Sequence, residues 1–418
     1  MTTQYSVKWE ISANPTSWSG IENIMRKERN CTCLYISYNG QFVSLWILKT
    51  SGVIHFRTIQ VHKTIVPARS IGSLDEFFAE SFSAFDISSK GDCEDRFLNP
   101  IEPEQRTRLE KGLAYFRLKE NDQRSDKPES SLSLCYRMLI GPVADFLKER
   151  EVIIVPDRSL NKVPFAALID EDGKYLSEMF RIRIIPSLTT LKLIQESPAD
   201  YHIQTGALVV GDPDVGTVRY KGKKRKFSRL PFAGNEAVMI GRLLGVEPLL
   251  GQYATKEAVL ERLQSVGLVH FAAHGNAERG EIALSPAVST EKIPKEEDYL
   301  LTMREIAQVH LRAKLVVLSC CHSAQGQIRA EGVIGIARAL LGSGARSVLV
   351  ALWTISDSAT EQLMCRFYEH LVRGKSASES LHQTMKWMRS NGFTKVCEWA
   401  PFLLIGDDVT FEFGEKEK

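Results

Sequence analysis

From residue 132 onward the chain alternates short, nearly continuous apolar runs with helix-length amphipathic stretches, and this rhythm limits the fold more than any other feature. The runs are "EVIIVPD" (151–157), "RIRIIPS" (181–187), "GALVVGDPD" (206–214), "GLVHFAAHG" (267–275), "KLVVLSCC" (314–321), "RSVLVALW" (346–353) and "PFLLIG" (401–406). Helical patterns lie between most of them, at 232–244, 255–265, 331–342, 358–372 and 376–391. Strands apolar on both faces and joined by helices form a mostly parallel sheet covered on both sides, so the fold class is α/β. In such sheets function gathers just past the carboxyl ends of the strands.

The region before this series reads differently. "CTCLYISYNGQFVSLWILKTSGVIHFRTIQV" (31–61) holds three β-rich runs separated by Asn39-Gly40 and Ser51-Gly52, so a meander of hairpins is expected. Residues 74–120 read as helical and charged, and the polar stretch 119–131 as a loop or linker. "SLCYRMLIGPVADFLK" (132–147) is helical, and no internal repeat is visible.

Composition excludes some classes of function. A net charge of +2 gives no reason to expect nucleic acid or an anionic membrane as a partner. No apolar run reaches bilayer-spanning length, and the first residues show no secretory pattern. The eight cysteines lack a framework spacing and several sit inside apolar patterns, so reduced thiols and a cytoplasmic location are expected. The basic run "KGKKRKFSR" (221–229) reads first as a solvated loop, with a nuclear signal, a docking site or a self-cleavage site as alternatives. "GDPDVG" lacks a Walker lysine arrangement and carries little weight for nucleotide binding.

Two strand ends carry reactive residues. One run stops on His274 and Gly275, the next on Cys320 and Cys321. An imidazole beside a thiol lowers the thiol pKa and later protonates a leaving group, so the pair suits nucleophilic catalysis. The main-chain N–H groups of Gly275 and Cys321 are candidates for an oxyanion hole. The plainer alternatives are a buried structural cysteine and a histidine in a turn. A metal cluster is disfavoured, because adjacent residues on an extended chain point to opposite faces. His274 precedes Cys321 by 47 positions, close to the caspase spacing of about 50, although the caspase pentapeptide is absent.

Taken in order, these segments resemble the CHAT domain, a caspase-like module related to separase and caspases and often attached to tetratricopeptide repeats. The resemblance runs from about 132 to 408. It rests on "VIIVPDRSLNKVPFAALID", "LPFAGNEA", "LLGQYATKEAVLERL", "VHFAAHG", "LLTMREI", "LVVLSCCHSAQGQIRAEGVIGIARALLGSGARSVLVALW" and "ATEQLMCRFYEHLVRGKSASESLHQTM". It implies a caspase-like sheet in 206–418 as the catalytic half. Residues 132–205 form the first part of the domain, read as a degenerate protease half, and 1–131 an N-terminal hairpin and helical region.

The resemblance implies Cys321 as nucleophile, His274 as general base and Cys320 pointing into the packing. It implies no metal and no cofactor. His322 and Ala324 depart from the family's usual glutamate and glycine, which implies an altered, regulated or impaired pocket. By similarity to separase-like relatives, Asp357 holds a basic P1 side chain; the competing reading is an N-cap for a helix starting at Ser358. The expected function is cysteine endopeptidase activity on a protein or peptide substrate, gated in relatives by a tetratricopeptide-repeat domain. The alternatives are a catalytically silent scaffold that binds a partner, or another thiol hydrolase such as an amidase.

Overall fold

The computed structural model describes residues 17–39, 41–61, 96, 98, 131–276, 280–287, 293–320, 330–353 and 355–413. The helical reading of 74–120 and the linker reading of 119–131 lie outside these, apart from Arg96, Leu98 and Ser131; so do Cys321, His322 and Ala324.

The first described element is the helix Trp18–Lys27, whose N-cap Ser17 accepts from the Gly20 N–H. Strands β1 (Cys31–Asn39), β2 (Phe42–Lys49) and β3 (Ile54–Gln60) come next as the expected antiparallel meander. Gly52 turns the second hairpin at φ +89°, a conformation that disfavours a side chain. The meander is continuous with the parallel strands, because β1 pairs in parallel with β4 (Glu151–Pro156).

Side chains alternate across β1, and both of its faces are covered. Cys31 and Cys33 pack with Ile24 and Met25 of the first helix, whereas Leu34 and Ile36 join the main core with Leu139 and Val143. Burial pushes the Cys31 and Cys135 thiols up to about 12 each, so both behave as small apolar groups.

Among the described residues the remaining strands are β5 (Arg181–Ile184), β6 (Ala207–Pro213), β7 (Thr217–Tyr220), β8 (Lys223–Lys226), β9 (Leu249–Gly251), β10 (Leu268–Ala272), β11 (Gly275–Asn276), β12 (Glu281–Ala283), β13 (Leu300–Thr302), β14 (Leu315–Leu318), β15 (Ser347–Ala351) and β16 (Phe402–Gly406). Eleven form one sheet in the order β3-β2-β1-β4-β5-β16-β15-β14-β10-β6-β9. It is parallel except in the meander and at β15–β16, and helices flank it. The α/β expectation therefore holds.

Helix Pro231–Leu244 lies tightly on β6. A Cβ on Gly211 would come within 2.3 Å of the Ala237 Cβ, so only glycine permits this approach. On β5, between β4 and β16, the buried Arg183 guanidinium gathers Glu151, Glu28 at 2.7 Å and Asp407 at 3.5 Å. Two smaller units stand beyond the strand ends: the sheet β11–β12–β13 and the hairpin β7–β8. The hairpin corrects the loop reading of the basic run, since Lys223–Lys226 is its second strand.

Candidate active site

β10 and β14 are parallel neighbours, with Phe271 opposite Leu318. Their carboxyl ends therefore lie side by side, and they deliver His274 and Cys320 to one place. The Ser319 N–H and the Cys320 thiol both point to the Phe271 carbonyl, at 2.8 and 3.8 Å. Cys320 is buried and belongs to the main core, as the resemblance implied. A Cβ on Gly275 would stand 2.9 Å from the Cys320 Cβ, closer than real contacts allow. The glycine after His274 is thus required by the packing of the neighbouring strand end.

His274 is buried, and its ring packs on Phe227 at 5.2 Å between centroids. Its Nε2 lies 2.9 Å from the Ser228 carbonyl. A carbonyl oxygen only accepts, so in the neutral ring Nε2 carries the proton and Nδ1 the basic lone pair. The Ser228 segment is itself held by Asp212, which accepts from Arg229 Nε at 3.1 Å and from the Leu230 N–H at 2.6 Å. This gives "GDPD" a structural role. Asp212 anchors the turn that presents the carbonyl to His274. The main chain of His274 is fixed too, since the Ala283 N–H donates to its carbonyl at 2.8 Å.

The Gly275 N–H, the expected oxyanion donor, donates to the carbonyl of Arg96 at 2.8 Å. The Leu98 N–H donates in turn to the Gly275 carbonyl at 3.2 Å. The Arg96 side chain is buried among acceptors. Nη1 reaches Glu236 Oε2 at 3.0 Å and the Ser319 carbonyl at 2.8 Å, and Nη2 lies 3.7 Å from Asp357 Oδ1. Glu236 also faces His270 Nε2 at 3.2 Å, and His270 Nδ1 lies 3.0 Å from the Tyr368 hydroxyl. Burial pushes the Glu236 carboxyl up, but the Arg96 charge and the His270 contact outweigh it and hold it below its usual range. Burial, reinforced by Glu236, raises the Tyr368 hydroxyl well above its usual value.

Asp357 is the first residue of the helix Asp357–Val372, and the N-cap is Ser356, whose hydroxyl accepts from the Ala359 N–H. The capping alternative is thereby displaced by one residue, and Asp357 lies buried against Arg96. His274, Gly275, Cys320 and Asp357 thus gather at one end of the sheet, while Cys321 lies outside the described residues. The Ser228 carbonyl, Arg96, Glu236 and Ser319 complete the arrangement. Among the described residues no cluster of His, Cys, Asp or Glu has a metal-holding geometry, and no helix is long and apolar enough to cross a membrane.

Comparison with known proteins agrees with this architecture. The family model for the CHAT domain matches residues 129–407. Tetratricopeptide repeat protein 28 of Homo sapiens is 30% identical over 325 residues, covering 66% of this chain and 13% of that protein. The Mus musculus protein of the same name is 31% identical over 325 residues, with the same coverage. The chain therefore spans about an eighth of these relatives. Among solved structures, the Saccharomyces cerevisiae separase–securin complex superposes with a TM-score of 0.50 at 13% identity, covering 94% of this chain and 31% of that one. That likeness concerns the fold.

Proposed function

The chain belongs to the CHAT domain family, and from that premise we propose that it is a cysteine endopeptidase with a His274–Cys321 dyad. The observation that carries this reading is the His274 ring. It sits at the carboxyl end of β10, beside the end of β14, with Nε2 tied to the Ser228 carbonyl and Nδ1 as the base. Cys321 comes directly after Cys320 in the chain.

In this mechanism His274 Nδ1 takes the Cys321 proton. The thiolate attacks the scissile carbonyl carbon, and the negative charge that forms on its oxygen is met by the N–H of Cys321 and by that of Gly275 once the Arg96 carbonyl has withdrawn from it. The tetrahedral adduct collapses, the C–N bond breaks, and the imidazolium protonates the departing amine. Water, deprotonated by His274, then attacks the thioester and releases the acid and the free thiol. The Ser228 carbonyl fixes the tautomer and steadies the imidazolium, the role a carboxylate has in other triads. Asp357, once released from Arg96, holds a basic P1 side chain, and a tetratricopeptide-repeat partner or domain gates access.

The test is a peptide library varied at P1, incubated with the chain and with Cys321→Ala and His274→Ala. Cleavage lost in both variants supports the dyad. Cleavage kept in Cys321→Ala overturns it. Silence throughout, with labelling of Cys321 by an electrophile no faster than an ordinary thiol, favours the non-catalytic scaffold.

A further inference from the structure

Arg96 is held by both its side chain and its main chain at the centre of the candidate site. Its carbonyl accepts from the Gly275 N–H, and its guanidinium is enclosed by Glu236, Asp357 and the Ser319 carbonyl. Two residues on, the Leu98 N–H donates to the Gly275 carbonyl. The Leu98 side chain is fully buried in a small apolar cluster with Val218, Phe227 and Leu300. A bound peptide needs these same contacts: a carbonyl on the oxyanion donor, a side chain in a specificity pocket, and main-chain pairing beyond it.

From this we propose that Glu236, Asp357 and the Ser319 carbonyl form a pocket for the guanidinium of a peptide arginine, and that Arg96 is its built-in occupant. The proposal deepens the peptidase reading and rests on it for the role of Gly275. The preferred external ligand has the pattern arginine, any residue, apolar residue.

The chemistry of the pocket favours arginine. Two carboxylates and a main-chain carbonyl converge on one buried cation. Arg96 brings the positive charge set among Glu236, Asp357 and the Ser319 carbonyl, so its departure leaves a demand for a replacement cation even with His270 still beside Glu236. A planar guanidinium serves three acceptors at once, which a compact ammonium does less well. With Arg96 in place, an external peptide meets a pocket that is open only in the fraction of molecules from which Arg96 has left, and its affinity falls by that fraction.

Binding can be read without turnover, in a Cys321→Ala background, with the peptide acetyl-Arg-Ala-Leu-amide. Adding Arg96→Ala is expected to tighten binding at least tenfold. Replacing the peptide arginine with citrulline, or adding Glu236→Gln, is expected to remove that gain. Equal affinity with and without Arg96, in a chain shown to be folded, overturns the proposal.

A second measurement uses the unaltered chain, in case Arg96→Ala does not fold. Phenylglyoxal should modify exposed Arg26 but spare Arg96, and excess acetyl-Arg-Ala-Leu-amide should expose Arg96 to the reagent. An Arg96 that reacts freely, or that no peptide concentration exposes, overturns the proposal. A chain that binds the peptide this way but never cleaves any library member keeps the pocket and loses the peptidase reading.

Discussion

The Nε2–H of His274 is donated to the main-chain carbonyl of Ser228, 2.9 Å away, and Asp212 holds the turn that presents this carbonyl. Asp212 acts on His274 through the Ser228 segment, as a positioning residue of the proposed dyad. Asp212→Ala removes the anchor from Arg229 and Leu230 and lets the Ser228 carbonyl drift. A displacement near 1 Å costs about 100-fold in rate. The expected result is a kcat lowered by about 10- to 100-fold with KM within about twofold, read with a peptide substrate. An unchanged kcat would show that the turn holds itself.

Gly275 and Cys320 are packed to the limit, and a Cβ at 275 meets the Cys320 Cβ at 2.9 Å. Gly275→Ala should cost about 1–3 kcal/mol in urea unfolding, as overpacking does. Cys320→Gly removes the opposing Cβ and should recover part of that loss in a double-mutant cycle. Additive losses would place the strain elsewhere.

Asp357→Asn keeps the shape of the side chain and removes its charge. The helix should persist, because Ser356 and not Asp357 supplies the cap. A charge-assisted hydrogen bond contributes more than a neutral one. The preference for arginine over leucine at P1, measured as a ratio of kcat/KM values, should fall by about 10- to 100-fold. An unaltered ratio would leave Glu236 as the determinant of specificity.

The strand ends were legible in the sequence because short apolar runs such as "LVHFA" and "LVVL" alternate with helical patterns, as in a doubly covered parallel sheet, and such strands end in functional loops. The Ser228 carbonyl was not legible. It is a main-chain atom, in a basic run whose side chains read first as a solvated loop and pointed to no contact with a histidine. Arg96 was hidden for another reason. Its partners Glu236 and Ser319 lie 140 and 223 positions away, and no local pattern marks a contact at that separation. Glu236 lies in the motif "LPFAGNEA", but nothing local marks its carboxylate as one on the buried face of Pro231–Leu244. The cap reading at Asp357 erred by one residue because Ser356 and Asp357 are both good caps, and φ and ψ select the serine.

A buried histidine outside the candidate site sets an acid limit on stability. His202 is pushed down to about 4, first by burial and then by the Arg346 charge, while its Nε2 contact with the Gly344 carbonyl acts the other way. The unfolded chain binds a proton near the ordinary value of 6.5, and the folded chain does so only near 4. Between these values the unfolded state holds more protons, so stability rises with pH. It is fully present above about 6.5 and is lost as pH falls toward 4, by up to about 3 kcal/mol. Urea midpoints measured from pH 7.5 down to 4.5 should decline over this window, and His202→Gln should flatten the decline. An equally steep profile in the variant would assign the loss to His370 and His382, whose burial lowers them in the same direction.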